Sequence, residues 1–139
     1  MRKLEFRAWH DGNKEMVYFR NEKMKHDIYQ QKHFIMLLAD GKLEQYTGLL
    51  DKNRVKIFEG DIFKLKDVER PSGISTYKRD ILTRVVYDTY SGFHLALIMD
   101  DDENLKNYFS SYKLYDVIKY KQYSGEMAGN IHKNPELIK

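Results

Sequence analysis

Cysteine is absent from the 139 residues, and proline occurs only twice. The first absence excludes disulfides, thiolate metal sites, cysteine nucleophiles and thiol redox switching, and it fits a reducing compartment. Glycine is sparse as well, with eight residues in the chain, so each is expected to mark a place where the backbone needs it. No apolar run approaches the ~20 residues of a membrane-spanning helix. The opening MRKLEFRAW enters an alternating pattern directly, without the apolar block of a signal peptide. The expectation is a full-length, cytoplasmic protein with no membrane segment. Charge of one sign is lacking too. The 24 Lys and Arg face 21 Asp and Glu, leaving +3, a field too weak to single out a polyanionic partner.

Aromatic side chains are plentiful, with 11 Tyr and 7 Phe. Such residues favour pleated, half-buried surfaces, so the composition leans towards strands. A chain of this length can bury roughly two thirds of its unfolded surface in one core, and a single domain over residues 1–139 is expected.

Alternation places Leu4, Phe6 and Ala8 on one face of a first strand and Glu5, Arg7 and Trp9 on the other. Asp11-Gly12 then predicts a hairpin into EMVYF, with the positive φ of the turn supplied there. The segment RNEKMKHDIYQQK, residues 20–32, has no clear period and reads as a loop or a short helix. A second hairpin is predicted from Phe34–Ala39 through Asp40-Gly41 to Lys42–Thr47. After Gly48 and Leu49-Leu50, the turn Asp51-Lys52-Asn53-Arg54 leads into a strand that ends at Glu59-Gly60-Asp61. Gly60 can take angles closed to other residues and Asp61 can bond back to nearby amides, so a sharp barrel corner is expected there. Residues 66–80, with Pro71, Gly73 and many charges, read as a mobile excursion. ILTRVVYD and FHLALIM form a further hairpin. SSYKLYDVIKYK is the best helix candidate, with Ser110 or Ser111 as N-cap. EMAGNIH reads as a last strand.

Catalytic spacing is not found. The five histidines, His10, His26, His33, His94 and His132, include no H-E-x-x-H pair. The acidic run Asp100–Glu103 lacks the alternating ligands and central glycine of a calcium loop. Ser91-Gly92 and Ser124-Gly125 do not form a nucleophile elbow, and no phosphate-binding glycine loop is present. The reading is therefore a non-enzymatic protein with no metal and no cofactor. Nucleic acid is the alternative partner. Lys64, Lys66, Arg70, Arg79 and Lys113, with Tyr120 among neighbouring tyrosines, could neutralise phosphates and stack on unpaired bases.

Three blocks then stand out: LEFRAWHDGNKEMVY, QYTGLLDKNRVKIFEGDI and AGNIHKNPELIK. In order and spacing they resemble the YopX family of phage and prophage proteins. Its middle block typically reads YTGLKDKNGKEIYEGD and its end block G-N-I-x-x-N-P-E-L. The chain departs from the pattern at Arg54, where the family has glycine, which leaves either Asn53 in the left-handed role or a remodelled turn. The resemblance implies a β-rich, barrel-like accessory protein of a mobile genetic element, with no catalytic residue to carry over. The motif positions Trp9, Tyr46, Asp51, Glu59, Asp61 and Asn130 become the candidate binding residues. The expected fold is mainly β, bordering on α+β: a small antiparallel SH3-like barrel extended by the N-terminal hairpin, with one short helix near the C-terminus. The expected role is a protein-interaction module, homo-oligomeric, with a host or phage protein as further partner; abundant tyrosine, a residue enriched at interfaces, motivates it.

Overall fold

The computed structural model describes residues 4–20, 26–40, 42–70, 77–90, 92–98, 113–119 and 124–138, with the backbone alone at 69–70, 77–79 and 124. The chain is mainly β. Strands β1 (Glu5–His10), β2 (Glu15–Arg20), β3 (Leu43–Leu50) and β4 (Lys56–Phe58) form an antiparallel sheet in the order β2-β1-β3-β4. Strands β5 (Asp61–Arg70), β6 (Tyr77–Asp88), β7 (Gly92–Leu97) and β8 (Ser124–Asn130) form a second, in the order β7-β6-β5-β8. Helix α1 (Ile28–Ala39) links β2 to β3, helix α2 (Leu114–Lys119) precedes β8, and a 3-10 turn (Pro135–Ile138) follows it.

The first hairpin pairs Phe6 with Phe19 and Ala8 with Val17, which continues on β2 the face that alternation assigns to Phe6 and Ala8. Its turn differs from expectation. The left-handed residue is Lys14, at φ 55, and not Gly12; Lys14 N donates to His10 O at 2.8 Å and closes a four-residue loop. Both faces of β1 are covered, because Ala8 is buried on one and Arg7 on the other.

Helix α1 corrects the predicted second hairpin. Phe34–Ala39 is an unbroken apolar run, which fits a helix as well as a strand, and the start signal decides between them. Asp27 is the N-cap, its carboxylate accepting from the Tyr29 and Gln30 amides, which satisfies two of the helix's orphan donors. Phe34 then packs edge-on against Phe6 and Phe19, with ring centroids 5.3 and 5.5 Å apart. Residues 66–80 differ too. β5 continues to Arg70 and β6 begins at Tyr77, so most of the predicted excursion is a long hairpin. Asp67 and Asp80 stand at strand positions open to water, and a bulge between Leu65 and Val68, with Asp67 at φ 54, bends the hairpin. Gly41, Pro71, Gly73, Asp100–Glu103, Ser110 and Ser111 lie outside the described residues.

The larger core lies between the second sheet and α2. Phe63, Leu65, Val68, Ile81, Val85, Leu95, Leu114 and Val117 are buried there together with Ile57 of the first sheet. Burying side chains of this size stabilises by about 1.5–3 kcal/mol each. The corner between the sheets falls at Gly60, as the sequence predicts. Gly60 sits at φ 77, donates its amide to Val85 O at 2.9 Å and accepts from Ile131 N at 3.0 Å. A β-carbon there would collide with the carboxylate of Glu44. The corner is therefore closed to any side chain on two counts, torsional and steric.

Candidate functional site

Three of the charged side chains that the fold buries, Arg7, Glu44 and Asp61, converge just beyond this corner. Arg7, only 6% exposed, reaches from β1 towards the second sheet. Its Nε donates to Glu44 Oε2 at 2.6 Å, and its Nη2 donates to Asp61 Oδ1 at 2.6 Å and to the carbonyl of Glu59 at 3.0 Å. Asp61 also accepts from the Phe58 amide at 2.8 Å and from Asn130 Nδ2 at 3.4 Å. Asn130 Oδ1 takes the His132 amide at 2.8 Å, and His132 Nε2 lies 3.0 Å from Glu44 Oε1. Trp9 stacks on the His132 ring, with centroids 5.8 Å apart and planes 7° from parallel. The guanidinium also lies over the Phe58 ring, 4.6 Å from its centroid.

This clasp joins β1, β3, β5 and the segment after β8, and thus ties the two sheets together. Burial and charge oppose each other inside it. Burial alone would lower the pKa of Arg7, but Asp61 and Glu44 outweigh it and hold the guanidinium charged. Burial pushes the Glu44 carboxyl up, with Arg7 and His132 pulling only part of the way back. Burial likewise pushes Asp61 up, against Arg7, the Phe58 amide and Asn130. Two desolvated carboxylates share one cation, so neither is fully compensated.

The clasp floors two clefts. Arg7, Asp61 and Asn130 line one of about 380 Å³, together with residues of β2 and β4; Glu44 and His132 line another of about 400 Å³ on the far side. Among the described residues, no three His, Asp or Glu side chains are grouped so as to hold a metal ion.

Of the six motif positions, Asp61, Asn130 and the Glu59 carbonyl meet in the clasp, and Trp9 borders it through His132. The Glu59 carboxylate instead accepts the Gln45 amide at 2.9 Å. Tyr46 lies apart on β3, against Phe58 and under Lys56 Nζ. Asp51 is also elsewhere, accepting the Asn53 and Val55 amides at 2.8 Å each within the turn before β4. Arg54 itself takes the left-handed conformation of that turn, at φ 64, so the residue that departs from the family pattern keeps its geometry. Arg7, Glu44 and His132 were missed. The signals open to sequence reading were Arg7 on the same strand face as Trp9 and His132 inside the end block.

Of the nucleic-acid set, Lys64 and Lys66 lie on β5 and Lys113 lies just before α2. Lys64 pairs with Asp80 at 3.0 Å, and Lys66 pairs with Glu126 at 3.2 Å, an acid that Lys52 shares at the same distance. The lysine hydrogen bonds lower the pKa of both acids. Lys113 is exposed and bridges by backbone to His94. The side chains of Arg70 and Arg79, and Tyr120 altogether, lie outside the described residues. Where described, the strand lysines of this set thus stand beside acids.

Helix α1 provides the other feature. Gln30, His33, Phe34 and Leu37 turn towards the sheet, yet Ile28, Tyr29, Ile35, Met36 and Leu38 are 58–82% exposed. The helix has no fully buried residue. Lys32 is the one charge between Ile28 and Ala39, so its outer face is nearly as apolar as its inner one.

Among the described residues, no helix is long and apolar enough to cross a membrane. The family model described as YopX protein matches residues 5–139. The crystal structure of a protein from Enterococcus faecalis is similar in fold, with a TM-score of 0.50 at 20% identity over 98% of each chain. No curated protein matches the sequence.

Proposed function

The chain belongs to the YopX family, and from that premise we propose that it is a non-enzymatic accessory protein of a phage or prophage, working in the bacterial cytoplasm as a protein-interaction module that pairs with a second copy of itself. The observation that carries this reading is the outer face of α1. An amphipathic helix on a sheet normally turns charge to water, whereas this one presents Ile28, Tyr29, Ile35 and Met36. Ile28, Lys32, Ile35 and Ala39 alternate at spacings of four and three, the seam of a helix that packs on another helix.

A second copy is the occupant that the surface chemistry favours. The face carries no acid and one lysine, so it offers little charge for a different partner to read. Its apolar stripe is self-complementary about a two-fold axis. With the axis near Ile35 and Met36, the two Lys32 stems lie on opposite sides and their ammonium groups reach water. Further protein partners would then meet a dimer.

Light scattering coupled to gel filtration tests this on the full chain. The expected result is a dimer that Ile35→Lys with Met36→Lys converts to a monomer, with the far-UV spectrum and melting transition retained. A wild-type chain that runs as a monomer at about 100 μM, a concentration at which a modest interface is populated, overturns the reading. So does a dimer that the double substitution leaves intact.

A further inference from the structure

We propose that the cleft between the clasp and strand β2 binds a small organic phosphate monoester, with its phosphate held by Arg7, Arg20 and Lys133 and its apolar body against Tyr18 and Met127. This site lies away from the outer face of α1 and does not depend on the self-association proposed above.

The first support is an unused donor edge. Arg7 commits Nε and Nη2 to Glu44, Asp61 and the Glu59 carbonyl. Its Nη1 donates to no acceptor among the described residues. Nη1 is also not sealed in: among the described residues, the one side-chain polar atom buried without a partner is Gln30 Oε1, and Arg7 lines the cleft. A guanidinium fixed on one edge by two carboxylates and open on the other is a rigid anion receptor, already ordered before anything binds.

The second support is the charge on the walls. Arg7, Arg20, Lys56 and Lys133 stand against Glu5 and Asp61 on the walls and against Glu44 behind Arg7, four cations to three carboxylates, which leaves +1. Lys56 and Glu5 pair with each other at 2.5 Å, whereas Arg20 and Lys133 have no ion-pair partner among the described residues. A phosphate monoester brings three acceptor oxygens for the three cations Arg7, Arg20 and Lys133, while a carboxylate brings two. The third support is the remainder of the lining. Met16, Tyr18, Val55 and Met127 make an apolar wall, and about 380 Å³ is within the range of small-molecule sites. Inorganic phosphate would leave that wall unoccupied.

Calorimetric titration of the full chain at low salt with phenyl phosphate, inorganic phosphate and benzoate tests the assignment. Phenyl phosphate is expected to bind with Kd below ~1 mM, and the other two at least tenfold more weakly. Arg20→Gln with Lys133→Gln, both exposed and outside the clasp, should abolish binding without moving the melting temperature. Tyr18→Ala should weaken phenyl phosphate several-fold and leave inorganic phosphate unchanged. The proposal is overturned by no heat up to about 10 mM phenyl phosphate, a range that covers even weak fragment-like binding. It is equally overturned by unaltered affinity in the double variant, or by benzoate binding as tightly as phenyl phosphate.

Discussion

Replacing Arg7 with methionine removes the one cation that the clasp buries while keeping most of its volume. Glu44 and Asp61, both under 10% exposed, would then face each other's charge with no guanidinium between them. Removing one member of a buried pair costs about 3–5 kcal/mol, chiefly because the charge left behind is uncompensated. Against a typical total of ~5–15 kcal/mol, that is a large share of the domain's stability. With an unfolding entropy of about 2.1 cal/mol/K per residue, it corresponds to a fall in Tm of about 10–17 °C for a chain of this size. Urea melts of wild type and R7M near pH 7 and again near pH 4 provide the assay. The orphaned carboxyls can take up protons at the lower pH, so the penalty there should be less than half of that near neutrality. A loss below about 1 kcal/mol near pH 7, the scale of an exposed ion pair, would refute the clasp as the link between the sheets. An equal loss at both pH values would refute its electrostatic origin.

The clasp, the corner and the turn before β4 each carry a further expectation. Because burial holds the folded-state pKa of Glu44 above its ordinary value, its contribution to stability is fully present below that value and is lost as pH rises through the raised one; the stability difference between wild type and Glu44→Gln, taken from melts across the acid range, should therefore fall with rising pH, and a rising difference would mean that Arg7 outweighs desolvation. Gly60→Ala should lose about 2–4 kcal/mol in urea titration, combining a left-handed alanine with displacement of the Glu44 carboxylate, and a change within ~0.5 kcal/mol, the usual size of a surface substitution, would contradict the corner geometry. Arg54→Gly should gain about 0.5–1 kcal/mol by relieving the left-handed arginine, read as a raised Tm, with any loss indicating that the arginine side chain contributes contacts of its own.

Local chemistry was the part of this architecture open to reading from residues. Alternation placed β1, β2, β6 and β7, and the pairing of a glycine with aspartate marked the corner at Gly60. Helix α1 was misassigned because HFIMLLA carries no period of its own, and the deciding group, the Asp27 carboxylate, acts on only two amides. Residues 66–80 looked like a loose excursion because strands open to water carry the same charges as loops. The clasp was hidden for a different reason. Arg7 pairs across 37 residues with Glu44 and across 54 with Asp61; taken singly, Arg7 and Glu44 look like ordinary solvated charges and Asp61 like a turn residue. Only the closure of two sheets on one another turns them into a buried network, and no spacing rule encodes that closure.

The clasp also sets an order of events during manufacture of the chain. Arg7 leaves the ribosome early, but Asn130 and His132, which complete its surroundings, emerge about 125 residues later. At bacterial elongation rates of ~5–20 residues per second, that interval is on the order of 6–25 s. Through it Arg7 can already meet Glu44 and Asp61, made 37 and 54 residues after it, but each carboxylate waits for its second partner, His132 or Asn130, so the clasp is complete only once the last strand has emerged.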